Sequence, residues 1–211
     1  MKLVLGLVAV LLMGSAVPAL AQRGPETSLG FHLGTARIQS DDVFDNETKI
    51  QNPTVLGVTA GMRQGTLGGE ISVDWISVDL RDKIKYAEVT LIPILLTAEI
   101  HSVAADSAFD PYILIGVGYY LNSARASSEA KSLAASSGDS NFKVGLDNAV
   151  GIHLGLGTNI KVSSSIAFAI NWRYTFMDTD LTIKGSGSSV SDTLSVNGFV
   201  LTAGLKYLLP R

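Results

Sequence analysis

Ile166-Ala167-Phe168-Ala169-Ile170-Asn171-Trp172-Arg173-Tyr174-Thr175-Phe176 alternates without a break between large apolar residues and small or polar ones. Period two is the signature of a strand with two chemically different faces, because successive side chains leave a pleated backbone on opposite sides. The same rhythm recurs on both sides of this stretch. It runs through Leu29-Gly30-Phe31-His32-Leu33-Gly34, Leu56 to Arg63, Glu70 to Trp75, Val144 to Leu156 and Phe199 to Tyr207. Two further segments, Val89 to Ile100 with Pro93 inside it and Tyr112 to Leu121, are nearly apolar throughout. Eight strands result.

Which face turns inward decides the class of protein. In a soluble sandwich or lipocalin-like barrel the large apolar face packs inside and a Lys- and Glu-rich face meets water. Here the minor face is mostly Gly, Ala, Ser and Thr with isolated charges, which suits a narrow, crowded interior, while the major face is continuous Leu, Ile, Val and aromatic residues. That is the pattern of a lipid-facing belt. The expected fold is an all-β, eight-stranded antiparallel up-and-down transmembrane β-barrel.

Composition agrees. The 211 residues are 46% hydrophobic yet 17% charged, and beyond the N-terminus no run approaches the roughly 18 apolar residues of a spanning helix. Sixteen Lys and Arg against 19 Asp and Glu, with no basic block, leave no electrostatic footprint for nucleic acid. Zero Cys removes disulfide scaffolds, thiol nucleophiles and cysteine metal sites. At the N-terminus Lys2, the apolar Leu3 to Met13 and Ala19-Leu20-Ala21 read as a signal peptide over 1–21, leaving residues 22–211 as one exported barrel domain. The expected destination is a bacterial outer membrane, with its lipid and its assembly machinery as partners.

The connections alternate in length. Gln39 to Pro53, Asn122 to Phe142 and Thr179 to Thr193 are long, Gln64 to Gly69, Ser102 to Ala108 and Thr158 to Ser164 are short, and a modest polar turn surrounds Arg81 to Lys85. Short turns on one side and long loops on the other place both termini in the periplasm. Eight strands of about 10 residues fit the chain with loops to spare, whereas sixteen would leave almost none. The third long connection has room for a helical turn around Ser127 to Ala135, and Gly185 to Ser189 reads as a mobile tip.

Thr90-Leu91-Ile92-Pro93-Ile94-Leu95-Leu96-Thr97-Ala98-Glu99, Phe109-Asp110-Pro111-Tyr112 leading into Ile115-Gly116-Val117-Gly118-Tyr119, and Trp172-Arg173-Tyr174 followed by Asp178 and Asp180 resemble the OmpW family of small outer-membrane barrels. The likeness spans about Leu29 to Tyr207. It implies an eight-stranded barrel with a mostly hydrophobic lumen that passes or binds small apolar molecules. Two departures stand out. The last aromatic, Tyr207, lies four residues before the end of the chain, which bears on recognition by the insertion machinery, and Leu114 stands where the family more often has Gly, which narrows the lumen there.

With the minor face inward, His32, Arg63, Glu70, Asp74, Glu99, Asp147, His153, Asn171, Arg173 and Lys206 point into the barrel. Unpaired buried charge is expensive, so a cross-strand polar network of Arg173, Glu99, Asp147, Arg63, Glu70 and Asp74 is expected, with Arg173 joined to Glu99 or Asp147. Leu91 and Leu95 share the parity of Glu99, and beyond Trp75 the apolar set moves to Ile76, Val78 and Leu80. Either a bulge near Trp75 and Ile76 flips the register, or the outer half of the lumen, with Leu91, Leu95, Leu114, Ile76 and Val78, is hydrophobic.

The function expected is a narrow channel or pocket for passive uptake or binding of small hydrophobic molecules. The alternative is a structural or adhesive barrel acting through its extracellular loops over a plugged lumen. No enzyme is expected: His32 and His153 sit mid-strand, His101 lies at a turn, and none accompanies a Ser motif. No cofactor or metal is expected either, the acidic Asp41, Asp42, Asp45 and Glu47 reading as a solvated loop.

Overall fold

The computed structural model describes residues 24–39, 49–50, 53–81, 85–103, 107–136, 142–185 and 188–210. The expected signal peptide over 1–21 and the acidic group from Asp41 to Glu47 lie outside the described residues. Among the described residues ten strands are formed: β1 (Glu26–Gln39), β2 (Lys49–Ile50), β3 (Thr54–Gln64), β4 (Leu67–Arg81), β5 (Lys85–His101), β6 (Phe109–Ala126), β7 (Lys143–Leu146), β8 (Ala149–Lys161), β9 (Ile166–Gly185) and β10 (Ser188–Leu208). A helix, α1 (Ser128–Ser136), sits in the third long connection.

Eight of the strands are barrel staves. β1, β3, β4, β5, β6, β8, β9 and β10 each pair antiparallel with the next, and β10 returns to β1, so the sheet has no open edge through its belt. Closure pairs the backbone of each stave with two neighbours, the condition for a sheet that crosses a bilayer, with one gap in the β4–β5 ladder at Asp74 and Trp75, opposite Pro93, which has no N–H. β2 and β7 are short additions on β4 and β9. The rows of directly opposed residues spiral. Starting at His101 and stepping through Tyr112, Gly157, Asn171, Thr202, Gly34, Val55 and Ile76, the row returns to β5 at Leu91, ten residues away. This stagger is the shear that accompanies tilted staves.

The two faces separate cleanly. Val58, Ile115 and Val150 are 60%, 59% and 69% exposed, whereas their inward neighbours Gly57, Leu114 and Ala149 are buried. A soluble core would show the reverse. The outward belt also ends at a common level: beyond Leu33, Leu56, Trp75, Leu121, Val150 and Phe176 the next outward residues toward the long connections are Thr35, Thr54, Ser77, Ser123, Asn148 and Asp178. At the opposite end β3 and β4 are joined by a tight turn in which Gly65 adopts φ +63°, a conformation that L side chains rarely tolerate.

One open alternative is decided and two expectations are revised. No bulge occurs at Trp75 and Ile76: Val73 faces Ile94 and Ile76 faces Leu91 in one register, and the ladder shifts only between Leu80 and Arg81. Ile76 and Val78 therefore share the inward face of Asp74. The connection Thr179 to Thr193 is largely paired strand, because β9 and β10 continue opposite one another to Gly185 and Ser188. The stretch Val144 to Leu156 is two strands, since Leu146 faces Leu181 but Gly151 faces Met177, a shift of one residue at Asp147 and Asn148.

Candidate functional site

The lumen is polar at the tight-turn end. Arg63 on β3 donates to the Asp110 carboxylate at the start of β6, and its Nη2 reaches the Val103 carbonyl at 2.6 Å. Asp110 also lies 3.0 Å from His101 Nδ1, while His101 Nε2 lies 3.1 Å from Glu99 Oε2. Lys206 continues the series, 3.8 Å from Glu99 and 2.7 Å from Glu70. Both ring nitrogens of His101 thus face carboxylates, and both contacts are hydrogen bonds when the ring carries two protons. In that state Arg63, His101 and Lys206 balance Asp110, Glu99 and Glu70. Glu26 and Lys161 form a further pair at 2.7 Å.

A second cluster occupies the middle. Asp74, 1% exposed, accepts from Arg173 and lies 2.9 Å from His32 Nε2. Gly57 makes room for it, since a Cβ there would fall 2.3 Å from Asp74 Oδ1 and 2.4 Å from His32 Nε2. Breaking a buried pair of this kind costs about 3–5 kcal/mol, because the remaining charge is stranded.

Of the residues expected in the network, Arg63, Glu70 and Glu99 meet in the first cluster and Arg173 and Asp74 in the second. Arg173 is therefore bound to Asp74 rather than to Glu99 or Asp147. Asp147 is a correction: the one-residue shift between β7 and β8 turns two consecutive side chains outward, leaving Asp147 exposed. What it contributes is its carbonyl, which accepts from Thr179 Oγ1 at 2.7 Å and Asn122 Nδ2 at 2.8 Å. Asp110 and His101 were not recognised as network members from sequence. Their signal was parity, Asp110 with Tyr112 and His101 with Glu99.

Toward the long connections the inward chemistry changes. Ile76, Val78 and Leu91 pack with Ala36, Val55 and Val200, and Val89 and Leu146 lean on them. Below lie Leu95, Tyr120, Ala149 and Met177, with Val196 against them. A cavity of about 40 Å³ lies between these groups, lined by Ile76, Leu91, Tyr120, Thr175, Met177 and Val200 among others. Leu114 is buried and inward but sits apart from both apolar groups, opposite Glu99 and Gly155. Among the described residues no group of three or more His, Asp or Glu could hold a metal ion.

A closed eight-stave barrel with an apolar outer belt and an interior filled by side chains defines a small integral outer-membrane β-barrel. Its family follows from the sequence itself. The chain belongs to the OmpW family, whose model matches residues 34–209. Among solved structures it resembles the outer membrane protein OprG from Pseudomonas aeruginosa, with a TM-score of 0.63 at 21% identity over 89% of this chain and 97% of that one. It also resembles the outer membrane protein AlkL, with a TM-score of 0.56 at 17% identity over 93% and 97% of the two chains. The Escherichia coli outer membrane protein W aligns with a TM-score of 0.52 at 16% identity over 89% and 100%. These likenesses describe the fold. No curated protein matches the chain.

Proposed function

We propose that this barrel accepts small hydrophobic molecules from outside the cell into the apolar half of its lumen and gives them passive entry to the outer membrane. One observation carries the reading. Val55, Ile76, Val78, Leu91, Leu95 and Met177 all point inward and are buried, on the face where a water-filled passage would carry polar side chains. The ion-paired layers beneath favour a closed floor over an aqueous pore, so the solute's partners are the upper lumen and the surrounding lipid. No residue is assigned a catalytic role.

Uptake of an alkane into intact cells carrying the barrel, compared with cells carrying Ile76→Asn, tests this. The variant is expected to reduce uptake several-fold while still folding and inserting. Equal uptake by folded wild type, folded variant and cells lacking the barrel would rule the reading out.

A second reading, a structural or adhesive barrel working through its outer loops, draws on the β9–β10 hairpin that projects past the belt. Its outward face carries an exposed polar ladder, in which Ser195 donates to Asp178 and Thr193 to Asp180, each at 2.8 Å. Binding of cells to host-surface glycans or proteins that is lost when this hairpin is shortened would favour it.

A further inference from the structure

His32, His101 and His153 are all buried, and their surroundings differ in one respect that matters for charge. His32 Nε2 meets Asp74, which Arg173 already neutralises, so a neutral ring keeps that bond. His153 meets no acid: its Nε2 lies 2.9 Å from Thr97 Oγ1, and its Nδ1 is buried with no hydrogen-bond partner. His101 stands between two carboxylates, Asp110 at 3.0 Å from Nδ1 and Glu99 at 3.1 Å from Nε2. A ring with one proton can donate to only one of them.

The place of this ring is built into the wall. Gly68 lies opposite Glu99, and a Cβ there would fall 3.0 Å from His101 Nε2 and 2.9 Å from Glu99 Oε2. On the other side the ring of Tyr112 packs against the imidazole, with 4.8 Å between centroids. The charges around it come from five further staves. Arg63 of β3 holds Asp110 of β6, and Lys206 of β10 stands between Glu99 and Glu70 of β4. Glu26 of β1 and Lys161 of β8 pair with one another beside a cavity of about 30 Å³ that His101, Glu99 and Asp110 also line, room for about one water. With two protons on His101 these charges sum to zero. With one, a buried negative charge is left over, and one carboxylate faces a nitrogen lone pair in place of an N–H.

We infer that the floor of the lumen is a pH-sensitive closure, held shut while the His101 ring carries two protons and weakened when it carries one. Histidine is the side chain whose charge changes in the ordinary range of pH, and an unbalanced carboxylate in a closed interior is costly. The folded barrel binds the second proton more firmly than the unfolded chain, in which the ring meets only water. The stability it contributes is therefore complete on the acid side of the histidine range and is lost as pH rises. The device does not depend on what the upper lumen holds.

The test is urea unfolding of the full barrel in lipid, read by the mobility shift of the folded form at about pH 6 and about pH 9, either side of the histidine range. The unfolding constant of the wild type is expected to rise about tenfold to a hundredfold at the higher pH, the worth of one hydrogen bond to a charged group. Glu99→Gln balances the floor around a neutral ring, which donates to Asp110 and accepts from the introduced amide, and is expected to abolish most of the rise. His101→Gln has no proton to lose, and is expected to be as weak at the lower pH as the wild type is at the higher. Nitrogen NMR of the histidine rings tests the same point without a variant: one ring of the wild type is expected to keep both nitrogens protonated at about pH 7.5, where a free histidine is neutral. An unfolding constant that is the same at both pH values, a rise that persists undiminished in Glu99→Gln, or three neutral rings at about pH 7.5 would each overturn the inference while leaving the proposed uptake untouched.

Discussion

The two halves of the lumen are built on the same inward face of the same eight staves, yet they solve burial in opposite ways. At the tight-turn end Arg63, Asp110, His101, Glu99, Lys206 and Glu70 neutralise one another in a chain, and in the middle, just above them, Asp74 is held between Arg173 and His32. At the other end Val55, Ile76, Val78 and Leu91 exclude charge altogether. A narrow barrel interior tolerates either solution but not a mixture, because a lone charge among aliphatic groups has neither water nor a counter-ion. The difference teaches that the floor of this barrel is a matched set of charges, while its upper half is a space whose side chains can be changed one at a time.

The largest expected effect therefore lies in the floor. Arg173→Met strands Asp74 with only His32 and is expected to lower stability by about 3–5 kcal/mol, read from urea unfolding in lipid by the mobility shift of the folded form. A loss within 0.5 kcal/mol would show that Asp74 does not depend on its guanidinium. The double change Arg173→Met with Asp74→Leu removes both charges, and is expected to recover most of that loss; failure to recover would mean the pair contributes more than mutual neutralisation.

In the upper half, Leu91→Ala removes buried methyl groups and is expected to cost about 2–4 kcal/mol in the same assay. It also widens the cavity, so hydrophobic ligands bulkier than those held by the wild type are expected to bind; a smaller cost with no gain in ligand size would argue that the site collapses. The smallest effect belongs to a charge outside both halves. Asp147→Asn leaves the backbone carbonyl contacts of that residue in place, and is expected to change stability by less than about 0.5 kcal/mol. A loss as large as that of Arg173→Met would return Asp147 to the lumen network.

Much of this molecule was legible before its structure. Alternation from Ile166 to Phe176 and its repeats are local, set by the pleat, so strand number, the outward belt and the inward parity of Glu99 and Arg173 could all be read along the chain, whereas the inward placement of Ile76 opposite Leu91 needed the register of β4 and β5. Pairing could not. Asp74 and Arg173 are 99 residues apart and His32 and Asp74 are 42 apart, and they meet only because the staves tilt and the rows of opposed residues climb by ten positions in one circuit. Alternation continues through Asp147 as though nothing happened, while the one-residue shift beside it turns that carboxylate outward.

The sequence by itself determined two faces and the direction each one points, because period two needs no neighbour to define it. Only the tertiary structure decided which inward residues share a level, that His101 bridges two carboxylates, and that His153 is left with a nitrogen to spare. The physical reason is that shear and register belong to the closed sheet as a whole, and no single strand carries them.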